Sequence, residues 1–286
     1  MNGGNMKLLK SAVPLAVAAA LVALLAGISL SCSSNQKQDA LYKIQKAKTL
    51  IIGTSADYPP YEFHLLKDGK DLIVGFDISI AQEIAKDLGV TLEIKDMQFD
   101  GLLAALQAGT IDMVISGMTP TEERKKSVDF SKTYYYAVHG VIVRAEDKDI
   151  YQTVESLKNA RLSAQKGTIQ VGIAKTQILG LSEAEAEKPT DKVKELGTIK
   201  NLILDLKNKK VDAIVAELPV ATAYVNNNPD LALAAPTFTD DEGGSAVAVK
   251  KGNPLFLEAI NKTLDRLMAE KKIDQFVAEA NELVEN

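Results

Sequence analysis

Strand-length apolar runs alternate with helix-length amphipathic ones along most of the chain. Residues 49–54 (TLIIGT), with Leu50-Ile51-Ile52 at their centre, predict a buried strand. Pro59 and Pro60 then impose an extended loop. Residues 62–66 and 72–74, with Asp68-Gly69 between them, predict a hairpin. Beyond Gly75-Phe76-Asp77, the apolar residues Ile80, Ala81, Ile84, Ala85 and Leu88 keep helical spacing up to Gly89, a helix stop. A strand at 90–94, a helix at 102–108 and a strand at 111–115 follow. The second half repeats this order: a strand at 141–143, a short helix at 154–159, a strand at 161–164 and a helix at 169–179. An acidic, alanine-rich connection at 183–191 precedes a helix–strand pair within 201–216 and a helix near 219–226. The chain closes with a strand at 245–249 and two amphipathic helices, 254–268 and 273–283. Such alternation implies an α/β fold whose sheets are mainly parallel and flanked by helices.

An internal echo refines that picture. Leu102-x-x-x-Leu106 followed by IDMVI (111–115) matches Leu202-x-x-x-Leu206 followed by VDAIV (211–215), at a constant offset of 100 residues. The offset is too long for a solenoid and suits two similar lobes. Ser116 and Gly117 then correspond to Ala216 and Glu217, both pairs lying just past the carboxyl end of a strand, where open α/β sheets bind ligands. Two lobes leave the terminal elements over, so the chain is expected to return to the first lobe through two hinge crossings, near 136–140 and 237–244. The expected organisation is lobe 1 at 44–137 and 240–286, and lobe 2 at 138–239.

The stretch 111–136 carries the first chemical suggestion. Apolar residues end in Ser116-Gly117-Met118-Thr119, then Pro120 and acids precede Arg124. Thr119 is a good N-cap, Pro120 suits the first helical position and Glu122 completes a capping box. Arg124, just beyond, could grip a carboxylate with two parallel hydrogen bonds. On local evidence alone, an arginine inside EERKK reads as a solvated surface charge.

Composition narrows the classes. A net charge of −5 without a basic stripe argues against nucleic acid. One cysteine and two histidines rule out an internal disulfide and argue against a soft-ligand metal centre; no cofactor is expected. His64 and His139 stand apart from any nucleophile and receive no chemistry. At the N-terminus Lys7 and Lys10 precede an apolar run at 12–30 and then Ser31-Cys32, the pattern of an export signal. It resembles a bacterial lipoprotein signal, giving a signal peptide at 1–31, a lipid on Cys32 and a tether at 32–43, although Ser29 stands where such signals usually carry Leu, Val or Ile. The alternative is an uncleaved membrane anchor. Either places the folded part outside the cytoplasm.

The motifs GTSADYPPYEF (53–63), VGFDISIAQEIAKDLG (74–89), FDGLLAALQAGTIDMVISGMTPTEERKKSVDFS (99–131), QKGTIQ (165–170) and VDAIVAELPVA (211–221) carry a resemblance. In that order they resemble the extracytoplasmic solute-binding proteins of amino-acid ABC transporters, family 3, with the type II two-lobed fold. The resemblance implies a monomeric receptor that captures a free amino acid between its lobes and hands it to an ABC permease. It also implies that Arg124 holds the α-carboxylate, helped by Thr119 and by backbone groups around Ser116, Gly117 and Met118. Thr168, Ile169 and Gln170 add donors from the other lobe, Glu217 accepts the α-ammonium, and Tyr58 and Phe99 sandwich the side chain. Without the resemblance, Phe99 reads equally as core, and Tyr134-Tyr135-Tyr136 reads as hinge packing. The family commonly has Asp where Glu217 stands. The SADYPPYEF and SGMTPTEER versions resemble those of basic-amino-acid binders most, which implies arginine or lysine as ligand, and Asp57, Glu62 and Glu217 near the cleft agree; glutamine, cystine or another polar amino acid stays open. A dehydratase-like enzyme on the same scaffold needs a proton donor that no titratable pair clearly supplies. A sensor domain needs a following transmembrane helix.

Overall fold

The computed structural model describes residues 39–240 and 243–285; the expected export signal and Cys32 lie outside the described residues. In chain order the strands of the first lobe are β1 (Thr49–Thr54), β2 (Asp57–Tyr58), β3 (Glu62–Lys67), β4 (Lys70–Val74), β5 (Thr91–Asp96), β6 (Met113–Val114) and β7 (Val128–Tyr135). Those of the second lobe are β8 (His139–Arg144), β9 (Leu162–Gln165), β10 (Val193–Leu196), β11 (Ala213–Glu217) and β12 (Leu231–Leu233). β13 (Ser245–Lys250) returns to the first. They build two five-stranded sheets, ordered β5-β1-β6-β13-β7 and β10-β9-β11-β8-β12, and a small β2-β3-β4 sheet.

The two large sheets are built alike. In each, a central strand (β1 or β9) has a parallel neighbour on either side. The strands that enter or leave the hinge (β7, β8, β13) add antiparallel pairings, because no crossover helix precedes them. The sequence echo maps onto this arrangement. The helices Leu102–Ala108 and Ile199–Lys207 lead into β6 and β11, which hold equivalent places beside β1 and β9. The shared aspartates hold equivalent posts too. Asp112 accepts the Ile51 N–H (2.9 Å), as Asp212 accepts that of Arg161 (3.1 Å). Asp212 also pairs with Arg144 and Arg161, and those partners hold its carboxyl well below the usual range.

Central strands are buried because both faces are covered: Leu50 and Ile52 of β1 have no exposed surface. The helix Phe76–Leu88 turns Phe76, Ile80, Ala81, Ile84 and Ala85 inward, and Gly89 in the left-handed region closes it. Its entry depends on Gly75, where φ is +129° and a Cβ would collide with the Tyr61 carbonyl. The chain crosses between lobes after β7 and returns between Phe238 and Ser245, with Phe238 paired to His139 through two backbone hydrogen bonds. Tyr134 and Tyr135 face inward at the first crossing, whereas Tyr136 is 71% exposed.

Part of the stretch expected to be a tether is folded. Asp39 caps the helix Ala40–Ala47 through the Leu41 N–H (2.9 Å), and the same carboxylate accepts Leu255 N–H (3.0 Å) and Phe256 N–H (3.2 Å) at the start of the helix Pro254–Ala269. One buried carboxylate thus serves two helix N-termini of lobe 1. Among the described residues no helix is long and apolar enough to cross a membrane. Replacing Asp39 with Ala should cost about 2–3 kcal/mol. In urea the midpoint should fall with little change in slope; an unchanged midpoint would show that the helix at 40–47 adds nothing to the lobe.

Candidate functional site

Four strand ends converge where the lobes meet. Ser55 follows β1, Ser116 and Gly117 follow β6, Gln165 ends β9 and Glu217 ends β11. A narrow cleft lies at this junction, with about 300 Å³ of space between the atoms, solvent at its mouth included. Lobe 1 lines it with Ser55, Tyr58, Glu62, Phe99, Ser116, Gly117, Thr119 and Arg124; lobe 2 contributes Gln165, Thr168, Ile169 and Gln170. The lobes touch around it. Tyr58 Oη accepts from Gln170 Nε2 (3.4 Å) and from the Glu217 N–H (3.3 Å), and at the rim Lys166 pairs with Asp100 (2.9 Å).

Arg124 reaches across the cleft. Its guanidinium donates to the Thr119 carbonyl (2.7 Å) in its own lobe and to the Gly167 carbonyl (2.9 Å) in the other, lying 5.3 Å from the Phe99 ring centroid. A planar fork held at a cleft edge by two carbonyls and an aromatic face is preorganised for a carboxylate. The local fold differs from the expected capping box. Thr121, not Thr119, is the N-cap, its hydroxyl accepting the Arg124 N–H (3.2 Å), and the helix is only Glu122–Lys125. A tight turn at Pro120, closed by the Thr121 N–H on the Thr119 carbonyl (3.0 Å), delays the helix by two residues and leaves Thr119 at the cleft wall. On the opposite side Thr168 is the N-cap of the helix Ile169–Ile173, which puts Ile169 and Gln170 at the cleft.

Two expected site residues lie elsewhere. The Met118 side chain packs with Phe99, Leu106 and Val128 in the lobe 1 core and is 1% exposed. Gly117 at φ +54° turns the chain so that Met118 points away from the cleft. Glu217 is 4% exposed and does not line the cleft; it lies behind Tyr58, which does and whose hydroxyl accepts its backbone N–H. Phe99 serves both readings, as a member of the core cluster and as the floor under Arg124. Gln165, not singled out from the sequence, sits in the cleft because it ends a parallel strand, the position rule that had already picked Ser116. His139 is buried; it accepts from Gln170 Nε2 (3.2 Å) when its other nitrogen donates to Asp240 (2.8 Å), and burial lowers its pKa.

The electrostatics are dominated by carboxyls without cations. Glu62 has no exposed surface; Ser116 Oγ donates to its Oε1 (2.5 Å) and in turn accepts the Ser55 N–H (3.0 Å). Asp77 accepts the Gly117 N–H (2.8 Å) and the Tyr134 hydroxyl (2.9 Å). If both are ionised, Glu62 Oε2 and Asp77 Oδ1 lack donors; a proton on Glu62 gives the pair one. Burial raises both pKa values, and the charge of Asp77 raises Glu62 further. Glu217 Oε2 also lacks a donor. Burial pushes that carboxyl up to about 8, against the nearby Tyr61 hydroxyl, which lies outside bonding geometry. Arg124 is the one cationic side chain among the described residues lining the cleft.

Two α/β lobes of like topology, crossed twice by the chain and closing on a polar cleft, define a two-lobed binding protein. The chain belongs to the bacterial extracellular solute-binding proteins, family 3, whose sequence model matches residues 50–280. It is 40% identical over 221 residues to the arginine-binding extracellular protein ArtP of Bacillus subtilis, covering 77% of this chain and 81% of that one. It is 31% identical over 244 residues to the L-cystine-binding protein TcyJ of Escherichia coli, covering 85% of each. Among solved structures it resembles the amino-acid ABC transporter substrate-binding protein AbpA of Streptococcus pneumoniae bound to L-arginine. The TM-score is 0.78 and the identity 38%, over 86% of this chain and 99% of that one.

Glu217 makes a pH signature. Its carboxyl is neutral in folded and unfolded chains below the ordinary value of 4.5; between there and about 8 only the unfolded chain ionises, so stability is lost as pH rises through that window. Glu217→Gln should remove this loss, on the order of 5 kcal/mol at most. Melting temperatures of the ligand-free protein and variant should agree near pH 4.5 and diverge, with the variant higher, by pH 8. Parallel curves would show that Glu217 is not buried in solution.

Proposed function

We propose that this chain is the receptor of an ABC importer for an amino acid with a cationic side chain, arginine first and lysine second. The observation that supports this most is a charge count. The cleft and the wall behind it hold one cation, Arg124, and buried carboxyls at Glu62, Asp77 and Glu217 without a cation of their own. Arginine carries one carboxylate and two cations. In this reading its α-carboxylate takes Arg124, with Thr119 and the backbone N–H groups of the Thr168–Gln170 turn. Its α-ammonium draws Glu217 forward, and its guanidinium faces Glu62. Tyr58 and Phe99 flank the aliphatic stem. Each charge leaving water then meets an opposite charge or a carboxyl that ionises beside it, the condition for such burial to be tolerated. Because Arg124 and Glu217 belong to different lobes, the ligand favours the closed form. The arginine named in ArtP and bound in AbpA supports the same choice. Cystine, named in TcyJ, is the competing ligand, with glutamine behind it.

The protein is taken to act as a monomer, docked on permease subunits, without catalysis and without a cofactor. Cys32 is taken to carry the lipid that holds it at the outer face of the membrane, where its family works.

Thermal shift with the twenty amino acids tests the ligand: arginine should raise the melting temperature in a concentration-dependent way and more than cystine or glutamine. A rise with sugars or inorganic anions alone would overturn the amino-acid reading. Arg124→Ala should weaken arginine binding more than a hundredfold, about 3–5 kcal/mol, measured by calorimetry. Arg124→Lys should recover little of it, because an ammonium cannot make the forked contact.

A further inference from the structure

Asp57 occupies a place that ligand capture does not explain. It belongs to lobe 1, is 6% exposed, and is absent from the cleft lining although Ser55 and Tyr58 on either side are present. Its polar atoms are spent across the lobe boundary. Oδ2 accepts the N–H of Ile199 (2.6 Å), the first residue of the lobe 2 helix Ile199–Lys207. Oδ1 accepts from Gln165 Nε2 (3.4 Å) as well as from Ser55 Oγ (3.2 Å). Its backbone carbonyl accepts the hydroxyl of Tyr224 (2.8 Å), also in lobe 2.

The helix at 199–207 is capped from two lobes. Its own N-cap, Thr198, accepts the Asn201 N–H (3.3 Å) and leaves the Ile199 N–H to Asp57. A helix N-terminus carries exposed N–H groups and the positive end of the peptide dipoles, so a carboxylate there is favourable. That carboxylate arrives only when the lobes are together. Two other polar contacts across the lobes are of different kinds. Lys166–Asp100 lies at the solvent-exposed rim, where ion pairs contribute little. Arg124–Gly167 uses the guanidinium assigned above to the ligand.

We propose that Asp57 is a closure latch: a cross-lobe helix cap that sets the balance between open and closed forms in the absence of ligand, and through it the lifetime of the complex. It is a positioning residue and touches no bound solute. The latch itself does not depend on which solute binds; only its effect on affinity rests on the function proposed above. A receptor whose binding-competent form is less populated binds more weakly in proportion. Losing a charge-assisted cap therefore weakens binding about ten- to a hundredfold.

The test uses the full chain, Asp57→Ala and, as a milder break of the same contact from the other lobe, Tyr224→Phe. Small-angle scattering without ligand should show a larger radius of gyration for both variants than for the wild type. Saturating arginine should return all three to one compact value. Stopped-flow with arginine should show faster dissociation, about tenfold or more for Asp57→Ala and less for Tyr224→Phe, with association no slower. A residue that merely stabilised lobe 1 would lower the melting temperature without moving either readout. Equal ligand-free radii for wild type and both variants would overturn the latch. Should arginine fail to bind the wild type, the function proposed above falls, while the ligand-free scattering still decides the latch.

Discussion

A carboxylate taken out of water without a cation beside it is costly, and this molecule gathers Glu62, Asp77 and Glu217 in one corner between its lobes. Much nearby structure serves to make that tolerable. Ser116, the Gly117 N–H and the Tyr134 hydroxyl each supply a donor, and burial favours the protonated forms of Glu62, Asp77 and Glu217. Gly75 and Gly117 are required by the backbone paths that bring these groups together.

The duplicated sheet order explains how the two lobes build this corner jointly. Each lobe presents the carboxyl ends of its parallel strands to the other, so Ser116 after β6 and Glu217 at the end of β11 approach from opposite sides by the same construction. The antiparallel strands at the hinge carry the chain across without disturbing either central trio.

Where apolar spacing alone decides, the sequence was readable: Leu102–Ala108 and Thr49–Thr54 are bounded as their patterns predict, and the hairpin of β3 and β4 follows from Asp68-Gly69. β7 was not foreseen, because VDFSKTYY is neither alternating nor continuous; it is a strand through its pairing with β13. β10 and β12 lie at sheet edges and are short, and edge strands leave weak patterns. The helix expected at 169–179 is present but widens into π-helical turns over Ala174–Ile178, a change that periodicity does not register. For the site, local reading left Arg124 as a surface charge, and the motif order drew it into the cleft. Neither could show that Thr121 would cap in place of Thr119, or that Met118 would face the core. Both depend on the path of a few backbone angles around Gly117 and Pro120. The contacts of Asp57 were equally hidden, since they exist only between segments about 140 residues apart.

The double cap at Asp39 has a mechanical corollary. By joining the first helix to the start of the helix Pro254–Ala269, it clamps the N-terminal end of the fold to the half that carries Arg124. Anything that grips the N-terminus therefore grips that half as the stator. The other half, with Gln165, Gln170 and Glu217, has no share in that clamp and meets the first through contacts of its own.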